Sequence, residues 1–139
     1  MYDAHQLYQE SEILSAEPLK LVEILYRTGI DALGRARRAL ASGDVEERGR
    51  AVQKTCDVLV ELLSSLNKQA GELATNLARL YDYILVKVVD GHARASDASF
   101  AEAERLMMTL YEAWHTLTLQ ESSQTTLAPA QPEPVSCSG

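Results

Sequence analysis

The sequence predicts an all-α protein: an up-down antiparallel four-helix bundle with a short N-terminal docking arm and a disordered C-terminal tail. Three observations lead to this fold class. Aromatic residues are only 6% of a chain that is 46% hydrophobic, so the core must be built mainly from Leu, Val, Ile and Ala. Apolar residues recur at three- and four-residue steps in four segments, and short polar or Gly-containing stretches separate these segments.

The N-terminal arm is predicted over residues 1–17. The segment is polar, with isolated large apolar side chains, and it is too short to form a stable helix alone in water. Tyr8 and Ile13 are the side chains that we expect to lie against the bundle and cover apolar surface. The bundle itself is predicted over residues 18–120.

The first two helices have clear local boundary signals. Residues 18–42 are predicted as helix because Pro18 suits a first turn, where its missing N–H has no partner in any case. Gly43 is predicted to stop this helix, and Asp44 to cap a second helix that ends near Asn67. The short connection makes the two helices antiparallel neighbours.

The third and fourth helices are bounded by glycines and a serine. Gly71 breaks the pattern before the third helix, which we predict to close at Asp90 and Gly91. Ser99 and Glu102 have the spacing of a capping box, so the fourth helix is predicted to begin there. Residues 121–139 are rich in Ser, Thr, Gln and Pro and are predicted to be a disordered tail that folding does not require.

Several apolar residues lie outside the core-facing stripes, taken as centred on Leu25, Leu59, Leu77 and Leu110. A bundle core needs an arc of little more than ~100° on each helix. The residues beyond it are Leu19, Tyr26, Ile30, Val58, Val60, Tyr83, Val86, Val89 and Met108. Scattered surface apolar groups are normal, and the arm or a tilted neighbour can cover some of them. The sharper interpretation is a groove for a partner segment, so the pattern alone supports a helical binding module.

Charge and hydropathy exclude two classes of partner. Lys and Arg total 13 against 20 Asp and Glu, a net charge of -7 that repels the phosphate backbone, so no nucleic acid is expected. No stretch reaches the ~20 apolar residues of a membrane span, and no basic region precedes an apolar run at the N-terminus, so we expect no membrane insertion and a cytosolic location. Cys56 and Cys137 are predicted to be free thiols. Arg35, Arg37 and Arg38 are expected to interact with the end of the first helix and with solvent.

No catalytic or metal-binding constellation is complete in the sequence. Glu112 and His115 have the Glu-x-x-His spacing of di-iron bundles, but such a site needs a second pair and two more carboxylates, and His5 and His92 supply no second pair. Cys56 lies in an apolar setting that raises a thiol pKa. No Gly-rich phosphate loop and no Gly-x-Ser-x-Gly motif occurs. We therefore predict no metal, no cofactor and no enzymatic activity.

A set of short motifs occurs in a fixed order over residues 8–117. They are Tyr8 with Gln9 and Ile13, Pro18 with Leu19, Leu25 and Tyr26 with Gly29, Gly43 with Asp44, Leu62 with Leu66, Gly71 with Glu72, the run Ala74, Thr75, Asn76, Leu77, Leu80, Tyr81, Asp82 and Tyr83, and Ala113 with Trp114. Together they resemble FliS-type flagellar secretion chaperones. Glu17, where the family offers Ser or Thr, and Arg27 with Thr28 depart from the pattern.

The resemblance implies a cytosolic chaperone that binds the disordered C-terminal segment of flagellin around its outer surface. It would prevent premature polymerisation and keep flagellin ready for type III secretion. The candidate partner-binding residues are Tyr8, Ile13, Leu19, Tyr26, Ile30, Val58, Asn76, Tyr83 and Val86. An export-gate component or an anti-sigma factor as a further partner stays open. The alternative is a generic helical interaction or regulatory module unrelated to secretion.

Overall fold

The computed structural model describes residues 18–66 and 71–127, with side chains described for 20–66, 71–116 and 119. Four helices make up this part of the chain: α1 Pro18–Ser42, α2 Val45–Ser64, α3 Glu72–Arg94 and α4 Asp97–Leu127. Each helix packs against the next, and α4 returns beside α1. This is the predicted antiparallel four-helix bundle, in which α1 and α3 occupy one diagonal and α2 and α4 the other.

The core consists of side chains from all four helices. The largest fully buried ones are Tyr26, Leu33, Leu59, Leu62, Tyr81, Ile84, Val88, Phe100 and Met107. Small residues at other buried positions let the helices approach closely. A Cβ added to Gly29 on α1 would lie 2.7 Å from Met107 Cε on α4 and 3.1 Å from Val58 Cγ1 on α2. α1 therefore packs closely against both α2 and α4 at Gly29.

The turn between α1 and α2 follows the local signals of the sequence. α1 has the predicted bounds, and Gly43 adopts a φ of 77°, a left-handed value that favours glycine. The Asp44 side chain accepts a hydrogen bond from the Glu47 N–H at 3.0 Å and so caps α2. α2 ends at Ser64, three residues before the predicted Asn67, and the Ser65 N–H bonds back to the Glu61 and Leu62 carbonyls.

The predicted end of the third helix at Gly91 is wrong. α3 continues to Arg94, and Ala95 then takes the left-handed conformation with φ 53° and ψ 49°. Gly91 is buried inside the helix, where a Cβ would lie 2.7 Å from Phe100 Cδ1 and 2.8 Å from Phe100 Cε1. Glycine is therefore present because α4 approaches α3 closely at this point, and it does not stop the helix.

The predicted capping box at Ser99 is also wrong. α4 begins at Asp97, and the Ser96 hydroxyl oxygen accepts the Ser99 N–H at 3.3 Å, so Ser96 is the cap. The Ser99 hydroxyl is buried and donates instead to Asp90 Oδ2 at 2.9 Å, which joins α4 to α3.

The end of α4 lies beyond the predicted bundle boundary. The helix continues through residue 120 to Leu127, into the segment that the sequence predicts as tail. The remaining tail, 128–139, and the arm, 1–17, lie outside the described residues.

Candidate partner-binding surface

The outer side of α3 carries large apolar side chains that the bundle does not bury. Tyr83, Val86 and Val89 are 42%, 63% and 52% exposed. They are spaced by three residues, so each is rotated about 60° from the one before and the three span about 9 Å along the helix. We call these three residues the α3 face. Because Tyr81, Ile84 and Val88 already fill the inner side, α3 is apolar on two sides, as expected for a helix that a partner covers.

Tyr83 is held in place at the edge of this face. Its hydroxyl donates to Glu102 Oε2 on α4, and Lys87 Nζ lies 3.4 Å from Glu102 Oε1 and 5.6 Å from the centre of the Tyr83 ring. The hydrogen bond to Glu102 raises the pKa of Tyr83, and the same contact lowers the pKa of Glu102. The ring is thus presented to solvent in one orientation.

Three of the six candidate residues whose side chains are described lie at the surface. Asn76, Tyr83 and Val86 are exposed and Ile30 is half-buried, and the outward positions predicted for Val60, Val89 and Met108 are confirmed. Tyr8 and Ile13 lie outside the described residues, as does the side chain of Leu19. Partner contacts by any of these residues stay a prediction.

The expected outward placement of Tyr26 and Val58 is wrong. Tyr26 is fully buried and Val58 is 5% exposed. Because α1 packs against both α2 and α4, its buried arc is centred near Gly29 and not at Leu25, so Leu25 and Tyr26 lie on either side of the centre. Val58 lies inside the bundle for a related reason: its side chain reaches the close contact at Gly29.

Leu77 lies on the inner side of α3, as predicted. It is within about 40° of the buried Tyr81, Ile84 and Val88 around the helix and packs against the core. Leu77 itself is only half-buried, and the most deeply buried residues of this stripe lie one to three turns later along α3.

A buried aromatic cluster that the sequence analysis missed connects the diagonal helices. The hydroxyl oxygens of Tyr26 on α1 and Tyr81 on α3 lie 2.6 Å apart, and the Tyr26 ring centre is 6.4 Å from that of Tyr81 and 6.5 Å from that of Trp114. Burial raises the pKa of both phenols, and the contact with Tyr81 raises that of Tyr26 further. The sequence does signal Tyr81, which lies on the apolar stripe of α3, but helical spacing from Leu25 predicts its partner Tyr26 at the surface.

Arg37 forms the strongest described ion pairs between helices. Its Nε and Nη2 donate to the two carboxylate oxygens of Asp97 at 2.8 and 2.9 Å, and its Nη1 donates to Glu104 Oε1 at 2.6 Å. These carboxylates raise the pKa of Arg37, and Arg37 lowers the pKa of Asp97. The expectation that Arg37 serves only the end of its own helix and solvent is therefore wrong, whereas Arg35 and Arg38 are exposed as predicted.

The histidines and the cysteine of the described region are in ordinary polar or packed surroundings. His115 Nδ1 lies 3.0 Å from Oε2 of the buried Glu23, and Arg48 Nε donates to His92 Nδ1 at 3.1 Å. Within 18–66 and 71–127, no three His, Cys, Asp or Glu side chains come together as a metal-binding group. The half-buried Cys56 has a pKa raised mainly by burial, as predicted. No helix in these ranges combines the length and the apolar character that a membrane span requires.

The fold defines a helical bundle protein with large apolar side chains exposed on α3. The model of the family described as "Flagellar protein FliS" matches residues 1–121. The chain therefore belongs to the FliS family, which confirms the resemblance seen in its motifs.

Curated relatives agree with this family. The chain is 35% identical over 121 residues to the flagellar secretion chaperone FliS of Salmonella typhimurium, covering 86% of this chain and 90% of that protein. It is 27% identical over 115 residues to the flagellar secretion chaperone FliSB of Pseudomonas aeruginosa, covering 82% and 91%. With the FliS of Bacillus subtilis the identity is 25% over 107 residues, covering 77% and 80%.

Proposed function

We propose that this protein is a cytosolic export chaperone that binds the C-terminal segment of flagellin, prevents its premature polymerisation and keeps it ready for flagellar type III secretion. Membership of the FliS family, whose relatives carry the name flagellar secretion chaperone, supports the secretion role. The observation that carries the binding role is the α3 face, with three large apolar side chains each more than two-fifths exposed. The role is binding and not catalysis.

The α3 face suits an apolar segment that folds as it binds. Each side chain that becomes fully buried contributes ~1.5 to 3 kcal/mol, and ordering of the segment offsets part of this gain. Tyr8, Ile13, Leu19, Ile30 and Asn76 extend the proposed contact set beyond the α3 face. A segment covered in this way cannot present the same apolar side chains to another flagellin. An export-gate component and an anti-sigma factor are further candidate partners.

Two exposed valines give a matched test of this proposal. Val86 on the α3 face is 63% exposed and Val45, at the start of α2, is 60% exposed. In a calorimetric titration with a flagellin C-terminal peptide, Val86→Ser should raise the Kd by about tenfold, since loss of a buried anchor costs more than ~1 kcal/mol. Val45→Ser should bind like the parent. Because apolar contacts carry the affinity, moderate salt should change the Kd little.

Two results would contradict the proposed site. Equal Kd values for the Val86→Ser and Val45→Ser variants would show that the α3 face is not part of the flagellin-binding site. A collapse of affinity between low and moderate salt would show that charge carries the binding.

A further inference from the structure

The outer side of α1 differs in charge from the rest of the chain. α1 carries five Lys or Arg residues against two Asp or Glu, whereas α4 carries one against five, and the chain as a whole has a net charge of -7. One of the two acids of α1, Glu23, is buried. Lys20, Arg27, Arg35 and Arg38 are all exposed. We call these four residues the α1 basic face.

The cations of this face form a row. Lys20, Arg27 and Arg38 fall within about 20° of one another around α1, span about 27 Å, and have Arg35 about 60° to one side. Asp31 is the one exposed acid of α1 beside them. Within the described ranges, none of the four cations forms an ion pair, although Asp31 is one turn from both Arg27 and Arg35.

The neighbouring carboxylates of α4 form no ion pair with the row. Asp97 and Glu104 both bind Arg37, which is turned toward α4. Arg38 borders the same shallow depression, with Gly34, Ala41 and these two carboxylates, but lies within ion-pair distance of neither. The arginine that stabilises the bundle and the arginines that face solvent are therefore distinct.

We propose that the α1 basic face is a second docking surface, which binds an acidic helical segment of another protein laid along α1. Charge complementarity is the basis for this partner: a row of unpaired cations about five helical turns long fits carboxylates repeated along one side of a helix. The net negative charge of the chain disfavours an extended nucleic acid, whereas a short acidic segment meets mainly the local field of the row. The proposal does not rest on the identity of the export cargo.

The position of this face keeps it separate from the α3 face. α1 and α3 lie on one diagonal of the bundle, so their outer sides point in opposite directions. An acidic partner on the α1 basic face and an apolar segment on the α3 face therefore do not overlap. Ile30, which belongs to the proposed flagellin contact set, lies on α1 but about 60° from Arg27 around the helix. The two surfaces also differ in salt dependence, since exposed charge pairs are screened and buried apolar contacts are not.

A labelled helical peptide of Ala and Glu about as long as the row is the probe, with Gln in place of Glu as its control. The full chain should bind the Glu peptide, measured by fluorescence anisotropy, at least about tenfold more weakly when both Arg27→Glu and Arg38→Glu are introduced. The matched control is the pair Arg79→Glu and Arg94→Glu, which makes the same charge change at exposed positions of α3 and should stay within about twofold of the parent. Binding should weaken about tenfold between low and moderate salt.

Several outcomes would overturn the proposal. Equal losses for the α1 and α3 variants would show an effect of net charge alone, and equal binding of the Gln peptide would show that carboxylates are not recognised. Displacement of the Glu peptide by single-stranded DNA at equal concentration would make the surface a general polyanion site. Asp3, Glu10, Glu12 and Glu17 of the arm can also be replaced by their amides. Tighter binding of the Glu peptide by this variant would show that the arm of this chain, and not another protein, occupies the α1 basic face.

Saturation with the flagellin C-terminal peptide separates this proposal from the proposed function. The Kd for the Glu peptide should not change. Displacement of the Glu peptide by the flagellin peptide would show that both bind the same surface and would overturn the inference. A chain that fails to bind flagellin still gives a result with the Glu peptide, so the two proposals fail independently.

Discussion

At the scale of single residues, Gly91 and Gly49 occupy helices of the same bundle in opposite surroundings. The Gly91 Cα faces the buried Phe100 ring, and an added Cβ would lie 2.7 Å from it. At Gly49 an added Cβ would lie 3.9 Å from His92 Cε1, an ordinary contact distance. The same substitution should therefore change stability in opposite directions.

We expect Gly91→Ala to lower the free energy of unfolding by about 1 to 3 kcal/mol, because the Phe100 ring must shift in a close-packed core. Gly49→Ala should raise it by about 0.5 to 1 kcal/mol, because alanine loses less backbone freedom than glycine on forming a helix. Urea unfolding followed by circular dichroism measures both. If Gly91→Ala also stabilised the protein, the close packing of α3 against α4 would not require a glycine at position 91.

Tyr26 and Val58 show where residue patterns reach their limit. Helical spacing correctly places Tyr83, Val86 and Val89 outward, because the assumed centre of α3 lies on its buried side. The same reasoning fails for Tyr26 because the buried arc of α1 is centred near Gly29 and not at Leu25, and that centre depends on where α2 and α4 lie. A sequence specifies the angle between two residues around a helix. Which of these directions faces the core depends on how the bundle assembles.

At the scale of helices, ends that depend on local chemistry were predicted and ends that depend on tertiary contacts were not. Gly43 and Asp44 act on the chain next to them, through a left-handed φ and a side-chain cap, and both predictions are confirmed. Gly91 is a residue type that often ends a helix, and Ser99 is one that often caps a helix. In the structure Gly91 instead packs against Phe100, and the Ser99 hydroxyl donates a hydrogen bond to Asp90. No local signal distinguishes these two uses.

The junction of α1 with α4 should depend on pH through Asp97. Arg37 lowers the pKa of Asp97 below its ordinary value near 3.8, so the carboxylate binds its proton less readily in the folded than in the unfolded chain. The contact therefore stabilises the fold above that value, and the contribution is lost as pH falls through the folded pKa. Because the Asp97 side chain is 51% exposed, its size should be no more than ~1 kcal/mol.

Arg37→Gln tests this junction. The free energy of unfolding should fall by about 1 kcal/mol at neutral pH, and the difference from the parent should shrink as acid protonates Asp97. Arg50→Gln is the control, since Arg50 pairs with Glu47 inside α2 and joins no two helices. A difference for Arg37→Gln that stays constant from neutral to acid pH would show that Asp97 does not carry the effect.

At the scale of the whole molecule, the fold class was predictable because it depends on summed periodicity and not on any single boundary. Four apolar-periodic segments with short connections gave the bundle, and errors of several residues at helix ends left it unchanged. The diagonal contact between Tyr26 and Tyr81 could not be predicted in this way, since it depends on how all four helices assemble.

Deletion of residues 121–139 should change the free energy of unfolding by less than ~1 kcal/mol, because this segment offers few large apolar groups to bury. α4 continues to Leu127, so a chain that ends after residue 127 is the matched control. If only the longer deletion destabilises the protein, the last turns of α4 contribute to the bundle and the predicted domain boundary at residue 120 is too early.

The aromatic cluster also gives the molecule a built-in optical reporter. Trp114 is the single tryptophan of the sequence, and its ring centre lies 6.5 Å from that of the buried Tyr26. At this separation, ultraviolet light absorbed by the tyrosine is transferred to the indole and leaves as tryptophan emission. When the helices separate, the part of the transfer that comes from Tyr26 is lost, whereas Tyr111, three residues from Trp114 on α4, still transfers. The loss of tryptophan emission on replacing Tyr26 by phenylalanine therefore isolates the share that reports the contact between α1 and α4.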